Sequence, residues 1–265
     1  MFKVTKYPHG TFSWTDCQST DASKGKQFYA DLMGWEIDDQ PMGEGMVYTM
    51  FMQDGVSVAA LNQMQPEMES QGVPSHWNNY VTVDDVDAMV SKVKELGGTV
   101  ISGPFDVFDS GRMLVIQDPE GASVSLWQAK NHIGAGLVNT PGAMGWNELS
   151  TRDPEKAKAF YGALFGWQID KDPSQENYYI IMNKGRPNGG LLLINEEWGD
   201  MPPNWMVYFS VSNIDESVEK VKSLGGKIHV PIVDAGEVGR FSVVGDPQGA
   251  VSTLIQLKEP QPWTS

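Results

Sequence analysis

Residues 21–37 read DASKGKQFYADLMGWEI, and residues 153–169 read DPEKAKAFYGALFGWQI. Asp, Phe-Tyr, Leu and Gly-Trp recur between the two stretches at a constant spacing of 132 residues. Trp14 and Trp146 keep the same spacing. Further along, a spacing of 128 residues relates Trp77 to Trp205, Tyr80 to Tyr208, Gly111-Arg112 to Gly239-Arg240, and Asp118-Pro119 to Asp246-Pro247. So many spaced matches mark a duplication, and a repeat on this scale governs how every other residue is read.

Each copy holds two similar halves. In the first, Asp21 and Asp153 are natural N-caps, and Pro154 sits at the first helical position, where a missing N–H costs nothing. Phe28/Leu32 and Phe160/Leu164 give an i,i+4 apolar stripe, and Gly34 and Gly166 are placed to end the helices in the left-handed region. In the second half, Val86, Met89, Val90, Val93 and Leu96 make one helical face before Gly97-Gly98. Ile214, Val218, Val221 and Leu224 repeat it before Gly225-Gly226. Each helix has a strand before it and short strand-like runs after it, with Asp-Pro-x-Gly turns at 118–121 and 246–249. The unit is βαβββ, four times over. The spacing predicts an α+β fold: domains at 1–128 and 142–265, with the aperiodic residues 129–141 as linker.

The bulk numbers set bounds on function. A net charge of −15 repels a polyphosphate backbone, so no nucleic-acid partner is expected. No apolar run reaches the ~20 residues of a membrane span, and the first residues lack a signal-peptide core, so no membrane association and a cytoplasmic location are expected. One cysteine, Cys17, fits a reducing compartment and reads as a buried structural thiol.

Four βαβββ modules, Asp-x6-Phe-Tyr before Gly-Trp, and Asp-Pro-x-Gly before the last strand resemble the vicinal oxygen chelate superfamily of glyoxalases, bleomycin-resistance proteins and extradiol dioxygenases. The likeness extends over nearly the whole chain and is nearest to a double-domain bacterial glyoxalase-like subgroup. It implies that paired modules form a cupped, barrel-like mixed sheet with helices outside and a cleft inside. It also implies a divalent metal held by His, Glu or Gln on the first and fourth strands of the modules. The positions it assigns to those ligands carry Trp14, Val58, Asn78 and Ser125 in the first copy, and Trp146, Asn188, Met206 and Thr253 in the second. Indole, isopropyl and thioether groups do not bind such an ion, and neutral amides and hydroxyls hold one weakly. No metal and no cofactor are expected at the usual centre.

Strand alternation puts Asp16 on the face of Trp14, Glu148 on that of Trp146, and His76 on that of Asn78. Asp16 and Glu148, an acid in both copies, are the candidate catalytic residues. Trp14, Asn78, Tyr80, Ser125, Trp127, Trp146, Met206, Tyr208 and Thr253 are the candidate ligand-binding residues, facing the cleft while aliphatic neighbours face the helices. Either these side chains line a small-molecule site, or they simply fill the cup. Arg112 and Arg240 read as partners of surface acids such as Asp109 and Glu237. His9, His132 and His229 are isolated in sequence and carry no assigned chemistry. The expected function is binding of a small aromatic or amphipathic molecule without the usual metal. The alternative is a lyase, isomerase or oxygenase using the same cleft. The partner is a small-molecule ligand, and a homodimer is allowed.

Overall fold

The computed structural model describes residues 3–43 and 45–259. The first copy runs β1 (Thr11–Ser19), α1 (Ala22–Met33), β2 (Glu36–Pro41), β3 (Val47–Gln53), β4 (Val56–Gln63), the short α2 (Pro66–Ser70), β5 (His76–Thr82), α3 (Val86–Glu95), β6 (Thr99–Val107), β7 (Gly111–Gln117) and β8 (Ser123–Ala129). The second runs β9 (Met144–Thr151), α4 (Pro154–Phe165), β10 (Gln168–Lys171), β11 (Tyr178–Asn183), β12 (Arg186–Leu193), β13 (Asn204–Ser210), α5 (Ile214–Ser223), β14 (Lys227–Asp234), β15 (Gly239–Gly245) and β16 (Val251–Leu257). Asp21 and Asp153 accept the backbone N–H groups of Lys24 and Lys156, and Gly34 and Gly166 close their helices at φ 73° and 78°.

Each copy forms one eight-stranded sheet, in the order β2-β3-β4-β1-β5-β8-β7-β6 and its equivalent β10-β11-β12-β9-β13-β16-β15-β14. The two modules of a copy join through the antiparallel pairs β1/β5 and β9/β13, while β4, β8, β12 and β16 run parallel to their inner neighbours. The sheets are therefore mixed, cupped and open, with edges β2 and β6, or β10 and β14, left unjoined. No helix among the described residues is long and apolar enough to cross a membrane.

The two faces of each sheet differ. On one, Cys17, Phe51, Ala59, Leu61, Val81, Leu114, Ile116 and Leu126 are fully buried, and burial pushes the Cys17 thiol pKa well up. This face is covered by helices and by the other copy. The cover is reciprocal. Tyr161 of α4 donates to Asp118 in the first copy's turn (3.0 Å) and accepts from Trp205 Nε1 (2.9 Å). Tyr29 of α1 accepts from Trp77 Nε1 (2.9 Å) and stabilises the charged form of Asp246 in the second copy's turn. A side chain at Gly98 would strike the Phe160 ring, and one at Gly226 would meet the Phe28 ring. The repeated Phe-Tyr, Leu-Gly-Gly and Asp-Pro motifs thus mark where the copies meet.

Residues 130–143 carry no helix or strand element and are pinned along the first sheet. Ala135 N donates to Ser13 O (2.7 Å), Gly136 N to Ser57 O (2.7 Å), and Tyr7 Oη to Ala135 O (2.7 Å). Leu137 is fully buried.

Candidate functional site

Register across neighbouring strands shows which side chains share the concave face, because residues directly opposite each other point the same way. In the first copy one row runs Asp38, Met50, Ala60, Asp16, Asn78. A second row runs Trp14, Tyr80, Ser125, Val115, and a third Thr82, Trp127, Met113, Phe105. The second copy matches it with Ile180, Gly190, Glu148, Met206 and with Trp146, Tyr208, Thr253, Val243. All nine candidate ligand-binding residues and both candidate acids therefore face the two cups. Met50, Asn78, Met113, Val115 and Met206 are only half-buried, and Phe105 at the rim is 42% exposed, so the concave faces are not sealed.

At the centre of the first cup Asp16 is buried and accepts three hydrogen bonds. They come from Asn78 Nδ2 (2.9 Å), Tyr80 Oη (2.7 Å) and Tyr48 Oη (2.9 Å). Tyr48 in turn accepts from Trp14 Nε1 at 3.0 Å. The second cup repeats the cluster. Glu148 accepts from Tyr208 Oη (2.8 Å), Tyr178 also stabilises its charged form, and Trp146 Nε1 donates to Tyr178 Oη (3.0 Å). A methyl group at Gly190 would clash with Tyr178 Oη, so glycine makes the room that this phenol occupies.

Desolvation raises the pKa of both carboxyls despite these bonds, and the same burial pushes the four tyrosines up, so the phenols are fixed donors at neutral pH. Such a cluster can accept a proton from a ligand or hold one for it. His76 is close enough for its charge to favour the ionised form of Asp16, while its Nδ1 lies 2.8 Å from Pro74 O.

Tyr48 and Tyr178 were missed in the sequence. Both sit near the start of their copy's third strand, but the surrounding residues, MVYTMFM against ENYYIIM, hide the match. His132 is likewise not isolated: its ring stands edge-on to Trp14 with centroids 4.6 Å apart, and its carbonyl accepts from Trp127 Nε1 (2.8 Å). Arg112 and Arg240 do pair with surface acids, but the partners are Asp87 and Asp215 rather than Asp109 and Glu237.

The positions that the family's metal would need do not fit it. The Trp14 indole N–H is a donor engaged with Tyr48. Val58 and Asn188 lie at equivalent β-bulges, skipped in the pairing with β3 and β11. Val58 is fully buried, and the Asn188 amide leaves the cup to donate to Gly10 O across the junction (3.0 Å). Asn188 instead borders a small cleft of about 50 Å³ between the copies, with Thr11, Phe12, Asn139, Trp146 and Arg186. Among the described residues, no three His, Cys, Asp or Glu side chains gather as a metal centre would require.

The family model of the Glyoxalase/Bleomycin resistance protein/Dioxygenase superfamily matches residues 11–126 and again residues 139–252. The chain belongs to this superfamily. It is 42% identical over 97% of its length, and 98% of the relative's, to CFP32 of Mycobacterium tuberculosis, which carries a glyoxylase name. It is 32% identical to the anthracycline biosynthesis protein DnrV of Streptomyces peucetius, covering 98% of each chain. Among solved structures, the Mn(II)-bound glyoxalase of Novosphingobium aromaticivorans shares the fold at TM-score 0.64 and 16% identity, over 96% of this chain and 86% of that one. The 2,3-dioxygenase LapB of Pseudomonas sp. KL28 does so at TM-score 0.65 and 11% identity, over 96% and 95%.

Proposed function

We propose that this superfamily member binds a planar, hydroxylated aromatic molecule in its cups through a carboxylate–phenol–indole cluster, without the divalent ion at the usual centre, and that the first cup is the main site. The observation that carries this is the duplicated buried carboxylate. A carboxylate buried without a cation costs several kcal/mol, and an apolar side chain of similar size would stabilise the fold better. Two copies that have diverged elsewhere both keep the acid, with phenols on it and an indole beside it. Opened to a ligand, the cluster supplies stacking area from Trp14 and an acceptor for a ligand hydroxyl at Asp16, side chains that are 3% and 4% exposed as they stand. Anthracycline biosynthesis in the name of a relative agrees with a ligand of this shape. The first cup offers Asn78 and Trp127 where the second has Met206 and Ile255, so it is richer in both hydrogen-bonding and aromatic groups.

A second reading, acid–base catalysis as a lyase, isomerase or oxygenase, is favoured by the raised carboxyl pKa values. There Asp16 would take a proton from an acidic C–H or O–H of the ligand while Tyr48 and Tyr80 stay protonated as donors.

The test is titration with 2,6-dihydroxyanthraquinone, followed by tryptophan fluorescence and calorimetry. Trp14→Ala should weaken binding by roughly 1–3 kcal/mol, the scale of a lost buried aromatic contact, and Trp146→Ala by less. Unchanged affinity in both variants, with the fold intact, would show that ligands do not use the cups.

A further inference from the structure

The segment joining the two copies passes over the first cup, and one of its side chains enters it. Backbone bonds hold the segment on both sides of that residue. Lys130 N and His132 N donate to Ser110 O, and Ala135 N and Gly136 N donate to Ser13 O and Ser57 O. Trp127 Nε1 then fixes the His132 carbonyl. The imidazole is thereby placed against two aromatic rings of the concave face, 4.6 Å from Trp14 and 6.1 Å from Trp127 between centroids. Its Nε2 is buried and has no hydrogen-bond partner among the described residues. Thr82 Oγ1, paired in register with Trp127, is a second buried polar atom of this face without a partner.

A buried polar atom without a partner destabilises the fold, so a position that keeps one in a ligand-facing wall is placed to be satisfied by the ligand. Resting on the reading above, we propose that His132 is a ligand-binding residue of the first cup. Its Nε2 takes the far-end hydroxyl of a planar ligand whose near-end hydroxyl meets Asp16. The site then selects aromatics with oxygen substituents at both ends over those with one. Burial lowers the His132 pKa to about 4, so the ring is neutral at neutral pH and offers a lone pair or an N–H rather than a charge.

The experiment compares 2,6-dihydroxyanthraquinone with 2-hydroxyanthraquinone as calorimetric ligands of the full-length protein. Wild type should prefer the dihydroxy compound. His132→Phe, which keeps a flat ring against Trp14 and Trp127, should lose roughly five- to tenfold in affinity for it, the scale of one neutral hydrogen bond, and little for the monohydroxy compound. His132→Gln, which retains a polar atom at about the reach of Nε2, should restore most of the preference, a rescue that a packing role would not give. If His132→Phe keeps the preference while Trp14→Ala still weakens binding, the cup reading stands and the role of His132 is overturned. If wild type binds neither compound, both are overturned.

Discussion

Asp16 has two phenols and an amide as partners rather than a lysine or arginine. Three donors do not offset the lost hydration of a fully ionised carboxylate, so its pKa lies above the usual 3.8. A carboxyl whose pKa is raised by folding binds its proton more tightly in the folded state. Its contribution to stability is therefore greatest below the usual carboxylate range and declines as pH rises through the raised value. Asp16→Asn removes this titration. Across a pH series from about 4 upward, the melting temperature of wild type relative to Asp16→Asn should fall steadily until the carboxyl is fully ionised. A difference that stays constant, or that grows in favour of wild type with pH, would mean that the carboxylate is not penalised by burial. The sequence could point to Asp16 and Glu148 by strand parity and repetition alone. It pointed to Tyr80 and Tyr208 in the same way, but not to Tyr48 and Tyr178, whose neighbours differ too much between the copies for the repeat to show.

Helices and strands were legible wherever capping chemistry and periodicity agreed. Asp21 and Asp153 cap helices that end at Gly34 and Gly166, where sequence reading places them. Two features were hidden, for physical reasons. A β-bulge adds one residue to a strand without any compositional mark, and it turns Asn188 out of the cup toward Gly10 although simple alternation keeps it in line. The segment 130–143 lacks periodicity because its order comes from tertiary hydrogen bonds to Ser13, Ser57 and Ser110 rather than from an element of its own. Pattern reading sees only the missing periodicity, so His132 looks isolated in sequence while it stands against Trp14 in space.

At the scale of the whole molecule, the duplication explains both the architecture and its cohesion. The strongest repeated motifs were legible as a family likeness, yet their work is to join the copies. Phe28 meets Gly226, Phe160 meets Gly98, and Tyr161 reaches Asp118. Around them Trp77 and Phe209 pack at 5.0 Å, Phe12 and Trp205 at 4.9 Å, and Asn147 donates to Asn79 (2.6 Å) in the buried centre. A contact of this kind couples the folding of the two sheets. Heat should unfold the full chain in a single calorimetric transition, and Tyr161→Phe, which removes the partner of Asp118 Oδ2 and of Trp205 Nε1, should lower that one transition as a whole. Two resolved transitions, with only one moved by Tyr161→Phe, would show that the copies fold independently.

On the proposed function the cups bind through the carboxylate–phenol–indole cluster and not through a metal. The direct measurement is the affinity for 2,6-dihydroxyanthraquinone of protein stripped with EDTA, before and after manganese is added back. The dissociation constant should be the same in all three states: as purified, stripped and reloaded. Loss of binding on stripping, restored by manganese, would contradict it, since a group that binds only through an ion must follow that ion by mass action.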